Sequence, residues 1–242
     1  MAEGYYNIEE AQPRVSIGFK ENILRCRSNP VIAEIKLASP SMGVIAEDID
    51  VENIAKMMRS GGASALSILT EPKNFMGRIE HLQATHNVGL PRLMKDIIID
   101  PVQVEAAAKA GAEAILLITS IFQRRLSETN LDDMISLAHK RGLEVLLETH
   151  TAEEFQTSVN TQADLIGINN RDLSTMTTDI QVTVQIMTKC KPRGRIIVSE
   201  SGIATPEHIR LLRRHGVDAF LVGSSIMTSP DIEGKVRELV EA

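Results

Sequence analysis

The sequence predicts a chain of the α/β class: a single closed (β/α)8 barrel, or TIM barrel, preceded by a short N-terminal helical extension. Three observations carry this. Short apolar runs recur roughly eight times along 242 residues, and stretches with helical spacing separate them. The runs are almost continuously apolar rather than alternating, as burial on both faces of a parallel sheet produces. Strand then helix, repeated roughly eight times over roughly 250 residues, is the arithmetic of a closed barrel rather than of an open doubly wound sheet.

The extension comes first. Residues 1–29 lie outside the repeat and are expected to pack on the barrel, with a helix over 19–27 closing its bottom. The runs follow at 30–35, 65–69, 92–94, 114–118, 144–147, 165–168, 196–198 and 219–222, rich in β-branched residues and each too short to be a helix by itself. Helical spacing covers 51–59, 102–110, 131–140, 205–214 and 232–240, often opened by Asp, Ser or Thr and closed by Gly61, Gly111, Gly142 or Gly216. Pro101 and Pro206 suit a first helical turn, where a missing N–H costs nothing. No linker or low-complexity tract divides residues 30–242, so they read as one barrel domain.

Composition excludes several classes of function. A net charge of −6 leaves no basic stripe for a phosphate backbone, so nucleic acid is not an expected partner. No apolar run approaches the roughly 20 residues of a membrane span, and the start of the chain is acidic and polar, unlike a signal peptide. Membrane is therefore not an expected partner either. Cys26 and Cys190 stand far apart without other ligands at metal spacing, which indicates neither a disulfide framework nor a zinc site and suits a reducing cytoplasm. Trp is absent and aromatics make up 3% of the chain, so the core is built from aliphatic residues and any ring near the chemistry is informative.

A barrel of this kind places its chemistry at the C-terminal ends of its strands, where the loops converge on one mouth. The residues that end the runs are polar. The first run ends in Glu34 and Lys36, two apart and so on one face; the third ends in Lys95, the fifth in Glu148, the sixth in Asn169 and the seventh in Glu200 and Ser201. A single such residue is explained by a strand having to leave the core somewhere. The set is not, because the opposite ends begin with Pro30, Ala65, Ala114 and Ile196, Arg92 being the main exception. Lysines and carboxylates gathered on one rim shift one another's pKa values, as acid and base catalysts at neutral pH require.

The last two strands add a second signal. One runs into Ser201–Gly202 and the other into Gly223–Ser224–Ser225, where a short helix can begin. Glycines let backbone N–H groups approach an anion, and barrels frequently bind phosphate at this place; the plain alternative is a turn and a helix start. Lys36 and Ser39 lie within reach on the neighbouring first strand. Phe75, after the second strand, can pack on a ring or serve as an apolar staple under its loop. His150 either lines the mouth or is a loop histidine bonded to its neighbours, and the other five histidines lack a second ligand at metal spacing.

These residues resemble indole-3-glycerol-phosphate synthase, and the likeness runs in order from about residue 30 to the C-terminus. The stretches are IAEIKLASPSMG (32–43), LSILTEPKNFMG (66–77), LMKDIIID (93–100), LLETHTAEEF (146–155), IGINNRDL (166–173), VSESGI (198–203) and FLVGSSIM (220–227). The resemblance implies a cofactor-free carboxy-lyase of tryptophan biosynthesis. Its substrate would be 1-(2-carboxyphenylamino)-1-deoxyribulose 5-phosphate, a phosphorylated small molecule, and its product indole-3-glycerol phosphate. By the same likeness Lys95 is the general acid on the ketone oxygen and Glu148 the general base of dehydration. Lys36 binds the substrate's charged groups, with the second proton donation open between the two lysines. Glu34 orients Lys36, and Asn169 and Glu200 position sugar hydroxyls. Ser39, Phe75, Leu116, Arg171, Ser201 and Leu221 contact substrate, and the phosphate lies on Lys36, Ser201, Gly202, Gly223 and Ser224.

Two departures from the family pattern stand out. The N-terminal segment is short, which predicts a thinner cover over the substrate. Ile97 replaces a frequent Phe, which leaves Phe75 and Leu116 to hold the aromatic ring and predicts weaker binding. A monomer is the expected state. The alternatives are another phosphate-binding barrel, such as a phosphoribosyl-type isomerase, or a sugar-phosphate-binding barrel without catalysis. The two lysines with Glu148 disfavour the isomerase, and the undamaged rim disfavours the binding protein.

Overall fold

The computed structural model describes residues 4–9, 17–46, 49–172 and 174–242. Eight parallel strands, β1 (Val31–Ile35), β2 (Ala65–Leu69), β3 (Arg92–Lys95), β4 (Ala114–Ile118), β5 (Glu144–Thr149), β6 (Leu165–Asn169), β7 (Ile196–Glu200) and β8 (Ala219–Val222), pair in chain order and close with β8 on β1. All eight apolar runs are strands of this barrel. Four continue further than apolar content indicates, β3 to Lys95, β5 to Thr149, β6 to Asn169 and β7 to Glu200. The ladder depends on backbone groups and is indifferent to side-chain polarity, so pairs such as Leu69 with Lys95, Glu148 with Gly167 and Asn169 with Glu200 hold these polar positions in register.

Side chains alternate across each strand and so form two apolar layers. Val31, Ala33 and Ile35 face outward into the large core beneath the helices, while Ile32 faces the barrel interior with Leu93, Leu146, Val198 and Leu221. The same period of two carries Glu34 after Ile32, Lys95 after Leu93, Glu148 after Leu146 and Glu200 after Val198 onto the interior face. The helices Val51–Ser60, Pro101–Lys109, Leu131–Lys140, Pro206–Arg214 and Ile232–Val240 lie where their spacing predicts. Their starts are chemically fixed. Asp50, Asp100, Asn130 and Asp231 cap with their side chains, and Asp100 forms a full capping box with Gln103. Shorter helices at Ile79–Ala84, Thr119–Gln123 and Ala152–Ser158, and one at Gln181–Lys189, complete the outer layer. No helix among the described residues is long and apolar enough to cross a membrane.

The bottom of the barrel is plugged by the helix Phe19–Arg25, which stops two residues before the sequence expectation because Cys26 is already extended. Phe19 and Ile23 join the interior layer, and the Lys20 amide donates to the Glu144 carboxylate at 2.7 Å. Arg92, the charged exception at this end, is fully buried: Glu113 faces its guanidinium at 3.3 Å and the Leu82 carbonyl accepts from it at 3.1 Å. It therefore braces the barrel floor.

The start of the chain reaches the opposite end. Residues 4–9 dock on the loops after β2 and β3, where the Tyr5 hydroxyl donates to the Thr70 carbonyl at 2.7 Å and the Tyr6 hydroxyl to Asp96 at 3.0 Å. Although short, the N-terminal segment thus packs on the mouth side as well as the floor. Replacing Phe19 by Ala should cost about 3–5 kcal/mol of stability, the usual range for a fully buried Phe. Urea denaturation measures this, and a loss under ~1 kcal/mol would mean that the helix does not plug the floor.

Candidate active site

A cavity of about 690 Å³ opens at the C-terminal ends of the strands. Glu34 and Lys36 from β1 and the turn after it, Lys95 from β3, Glu148 from β5 and Asn169 from β6 face it, with Arg171 just beyond. Ser39, Phe75, Leu116, Ser201, Gly202, Leu221, Gly223 and Ser224 also border it. One residue expected there is set back. Glu200 has no exposed surface and stands off the cavity wall, so its expected direct contact with sugar hydroxyls is not what this geometry offers. The reason lies next door: an added Cβ at Gly167 would run into the Glu200 carboxyl, so the missing side chain makes the space that Glu200 occupies inside the barrel.

The charged groups form one connected set. Glu34 bridges both lysines, with Lys36 Nζ 3.1 Å from one carboxylate oxygen and Lys95 Nζ 3.2 Å from the other. Lys95 also lies 3.5 Å from Glu200. Burial by itself favours the neutral form of Glu34, yet the ammonium groups of Lys95 and Lys36 outweigh it and hold the carboxyl down at about 2. Burial likewise opposes the charge on Lys95, but Glu34, Glu200 and Glu148 together hold its pKa well above the ordinary lysine range. Lys95 is therefore a locked cation.

The two carboxyls beyond Lys95 behave oppositely. Burial works against the ionised form of Glu148, but His150, Lys95 and Asn169 keep its pKa below the usual carboxylate range. Glu200 is pushed up, first by burial and then by the negative charge of Glu148, and Lys95 offsets this only in part. At neutral pH one carboxyl is therefore a base and its neighbour an acid. The surroundings thus drive the pKa values of two groups of one type apart.

At the other end of the cavity Ser201 and Gly202 both take left-handed backbone conformations, with φ of 67° and 76°. The Asn170 side chain donates to the Ser201 carbonyl at 3.0 Å and so pins this turn. Gly223 precedes the short helix Ser224–Met227, whose first amides have no partner within the helix. The Ser225 hydroxyl donates to the Ile203 carbonyl at 3.0 Å, tying the two loops into one cradle. An added Cβ at Gly223 would lie 2.5 Å from a Glu34 oxygen, so this glycine makes room for the carboxylate that orders the lysines as well as for a ligand.

Several residues of the site carry no signal in the sequence. Asn170 lies behind β6 and β7, where its amide donates to Ser199 at 3.0 Å and its carbonyl oxygen accepts from the Thr183 hydroxyl at 2.7 Å. Asp96 follows Lys95 and accepts from Thr70 at 2.6 Å and from Tyr6, while its neighbour Ile97 borders the cavity. Of the two readings of His150, the structure supports the loop histidine bonded to its neighbours: it stands off the cavity wall, contacts Glu148 at 3.2 Å, and its backbone N–H donates to Glu154 at 2.7 Å. Leu69, Ile118, Met176 and Thr178 complete the wall. The polar partners of Asn170 and Asp96 lie far away in the chain, which is why spacing did not reveal them.

Comparison with known proteins agrees with this geometry. A family model described as indole-3-glycerol phosphate synthase matches residues 5–239. A relative of that name from Carboxydothermus hydrogenoformans is 40% identical over 238 residues, covering 97% of this chain and 88% of the relative. Another, from Methanocaldococcus jannaschii, is 44% identical over 214 residues, covering 88% and 78%. Among solved structures, a thiamine phosphate pyrophosphorylase from Pyrococcus furiosus is similar with a TM-score of 0.62 at 17% identity, covering 89% of this chain and 95% of that one, a likeness of fold alone. With nearly its whole length matched and a closed barrel carrying a polar mouth, this chain belongs to the indole-3-glycerol phosphate synthase family.

Proposed function

We propose that this chain closes the indole ring: it converts 1-(2-carboxyphenylamino)-1-deoxyribulose 5-phosphate to indole-3-glycerol phosphate, carbon dioxide and water, in tryptophan biosynthesis. The observation that carries the reading is the division of one cavity into two lysines bridged by Glu34, a second ionised carboxylate in Glu148, an apolar wall and a glycine-built cradle. Phosphate would sit on Gly202, Gly223 and Ser224 with Ser201 and Lys36 close by. The anthranilate ring would lie on Phe75, Leu116 and Leu221, beside Ile97, with Ser39 and Arg171 at its edges.

The aromatic carbon that bears the carboxylate is a weak nucleophile, so the ketone it attacks must be polarised. Lys95 supports that role as a cation fixed in a buried site, where charge acts strongly on a developing oxyanion. Its raised pKa makes it a poor acid toward a ketone but a competent one toward the alkoxide formed as the carbon–carbon bond closes. Loss of carbon dioxide returns its electron pair to the ring and restores aromaticity. Dehydration then needs a base, for which Glu148 is held ionised, and a donor to the departing hydroxyl, for which Lys36 beside the cavity is placed. Asn169 supports Glu148 and meets sugar hydroxyls. Glu200, buried behind Lys95, acts through that lysine. All of these groups come from one chain, which supports a monomer.

Purified protein given the substrate should develop indole fluorescence, and its failure to do so in the wild type would end this reading. Lys95→Ala should lower kcat by ~10²–10⁴-fold while binding of a ketone-reduced substrate analogue changes far less. Gly223→Asp should raise KM and also lower kcat, because its side chain meets both the phosphate cradle and Glu34. Ser224→Ala should raise KM about fivefold, the loss of one hydrogen bond of about 1 kcal/mol, with kcat unchanged; steady-state kinetics on the two variants separates these effects.

A further inference from the structure

His150 stands directly behind Glu148 at the cavity wall, and the reaction above gives it no part. It is mostly buried, with 12% of its side chain exposed, and it stands between two carboxylates: Nε2 lies 3.2 Å from Glu148 and Nδ1 lies 3.5 Å from Glu154. Nε2 has no aligned hydrogen-bond acceptor, so its attraction to Glu148 is chiefly between charges. Glu154 is itself anchored. It sits in the first turn of the helix Ala152–Ser158, where its amide donates to the capping hydroxyl of Thr151 at 3.1 Å and its carboxylate accepts the His150 amide. The stretch ETHTAEE (148–154) therefore folds the Glu148 carboxylate, the His150 imidazole and the Glu154 carboxylate into mutual contact between the cavity and the helix.

We propose that His150 is a positioning residue for ring closure: as an imidazolium clamped between Glu148 and Glu154, it keeps Glu148 ionised and aimed into the cavity, and so leaves Glu200 as the carboxyl that carries a proton. The proposal rests on the reading of Glu148 as the base. The pairing of charges in the connected set around Lys95 and Glu148 supports it. Glu34, Glu148 and Glu154 are matched by Lys36, Lys95 and His150, while Glu200, across Gly167 from Glu148, stays neutral. Without His150, Glu148 would face Glu200 with only Lys95 and the neutral Asn169 amide to favour its charge, and Lys95 is already engaged by Glu34 and Glu200. In agreement, burial opposes the imidazolium but Glu148 and Glu154 raise its pKa to about 10.

The test is a pH profile of kcat at saturating substrate together with imidazole nitrogen NMR. In His150→Gln the acid limb of kcat should move up by about 1–3 pH units, the effect of removing an adjacent opposite charge. Turnover at pH 6 should then fall ~tenfold or more and recover as the pH rises, with KM changed less than threefold. An acid limb that stays in place, or a loss of kcat equal at every pH, overturns the proposal. If His150→Gln does not fold, spectra of the wild-type chain decide: both His150 nitrogens should remain protonated at pH 8, and Glu154→Gln should lower the pH at which a proton is lost. Titration of His150 near its ordinary value of about 6.5 overturns it equally. Glu148→Gln separates this from the assignment beneath it. Undiminished turnover in that variant would remove Glu148 as the base, whereas the imidazole spectra report on the clamp in either case.

Discussion

The Glu34 carboxylate, held between two lysine ammonium groups, is the contact on which the rest of this site depends. Lys36 and Lys95 come from strands that are neighbours but one in the barrel, and both would repel each other if either approached a common substrate alone. Glu34 cancels that repulsion. It is almost wholly buried, so its interaction with the lysines is little screened by water, and its own ionisation is secured by them. Each partner makes the others' charge tolerable, and what remains is a fixed array of N–H donors facing a cavity.

Placing such an array at a barrel mouth costs little backbone irregularity because the period of a strand does most of the sorting. Once Ile32, Leu93, Leu146 and Val198 are packed in the interior, the residues two further along must point the same way, and these are Glu34, Lys95, Glu148 and Glu200. This is why the fold and the main charged residues could be read from sequence: apolar runs locate strands, and a period of two extends them by one polar position. Where the reading stopped short, as at Arg92–Lys95 or Ile196–Glu200, it did so because apolar content marks packing, whereas strand length is set by the ladder.

What sequence did not show is the set of contacts between residues distant in the chain. Tyr6 reaches Asp96 across 90 positions, and Asn170 meets Thr183 and Ser199 behind the strands. Nothing in the local pattern singles these residues out, and each is an ordinary loop, helix or strand residue until its partner is known. Their effect is nonetheless local to the chemistry. Tyr6, with Gln103 and Thr70, fixes the residue after Lys95, and Asn170 fixes the turn at Ser201. The loops of the mouth are thereby held by side chains that touch no substrate.

Gly167 and Gly223 show that room is as much a requirement as charge. Each lies on an interior position where a side chain would strike a glutamate, Gly167 against Glu200 and Gly223 against Glu34. A carboxyl larger than the interior position it occupies must lie across a neighbouring strand, and only a residue without Cβ leaves that surface open. The consequence differs between them. At Gly223 the yielded space brings Glu34 under the glycine-built cradle and so joins that end of the cavity to the lysines. At Gly167 it draws Glu200 out of water altogether, and a carboxyl so placed beside an ionised Glu148 lowers its energy most readily by keeping its proton. The difference between acid and base in this mouth thus begins with the absence of one methyl group on the strand between them.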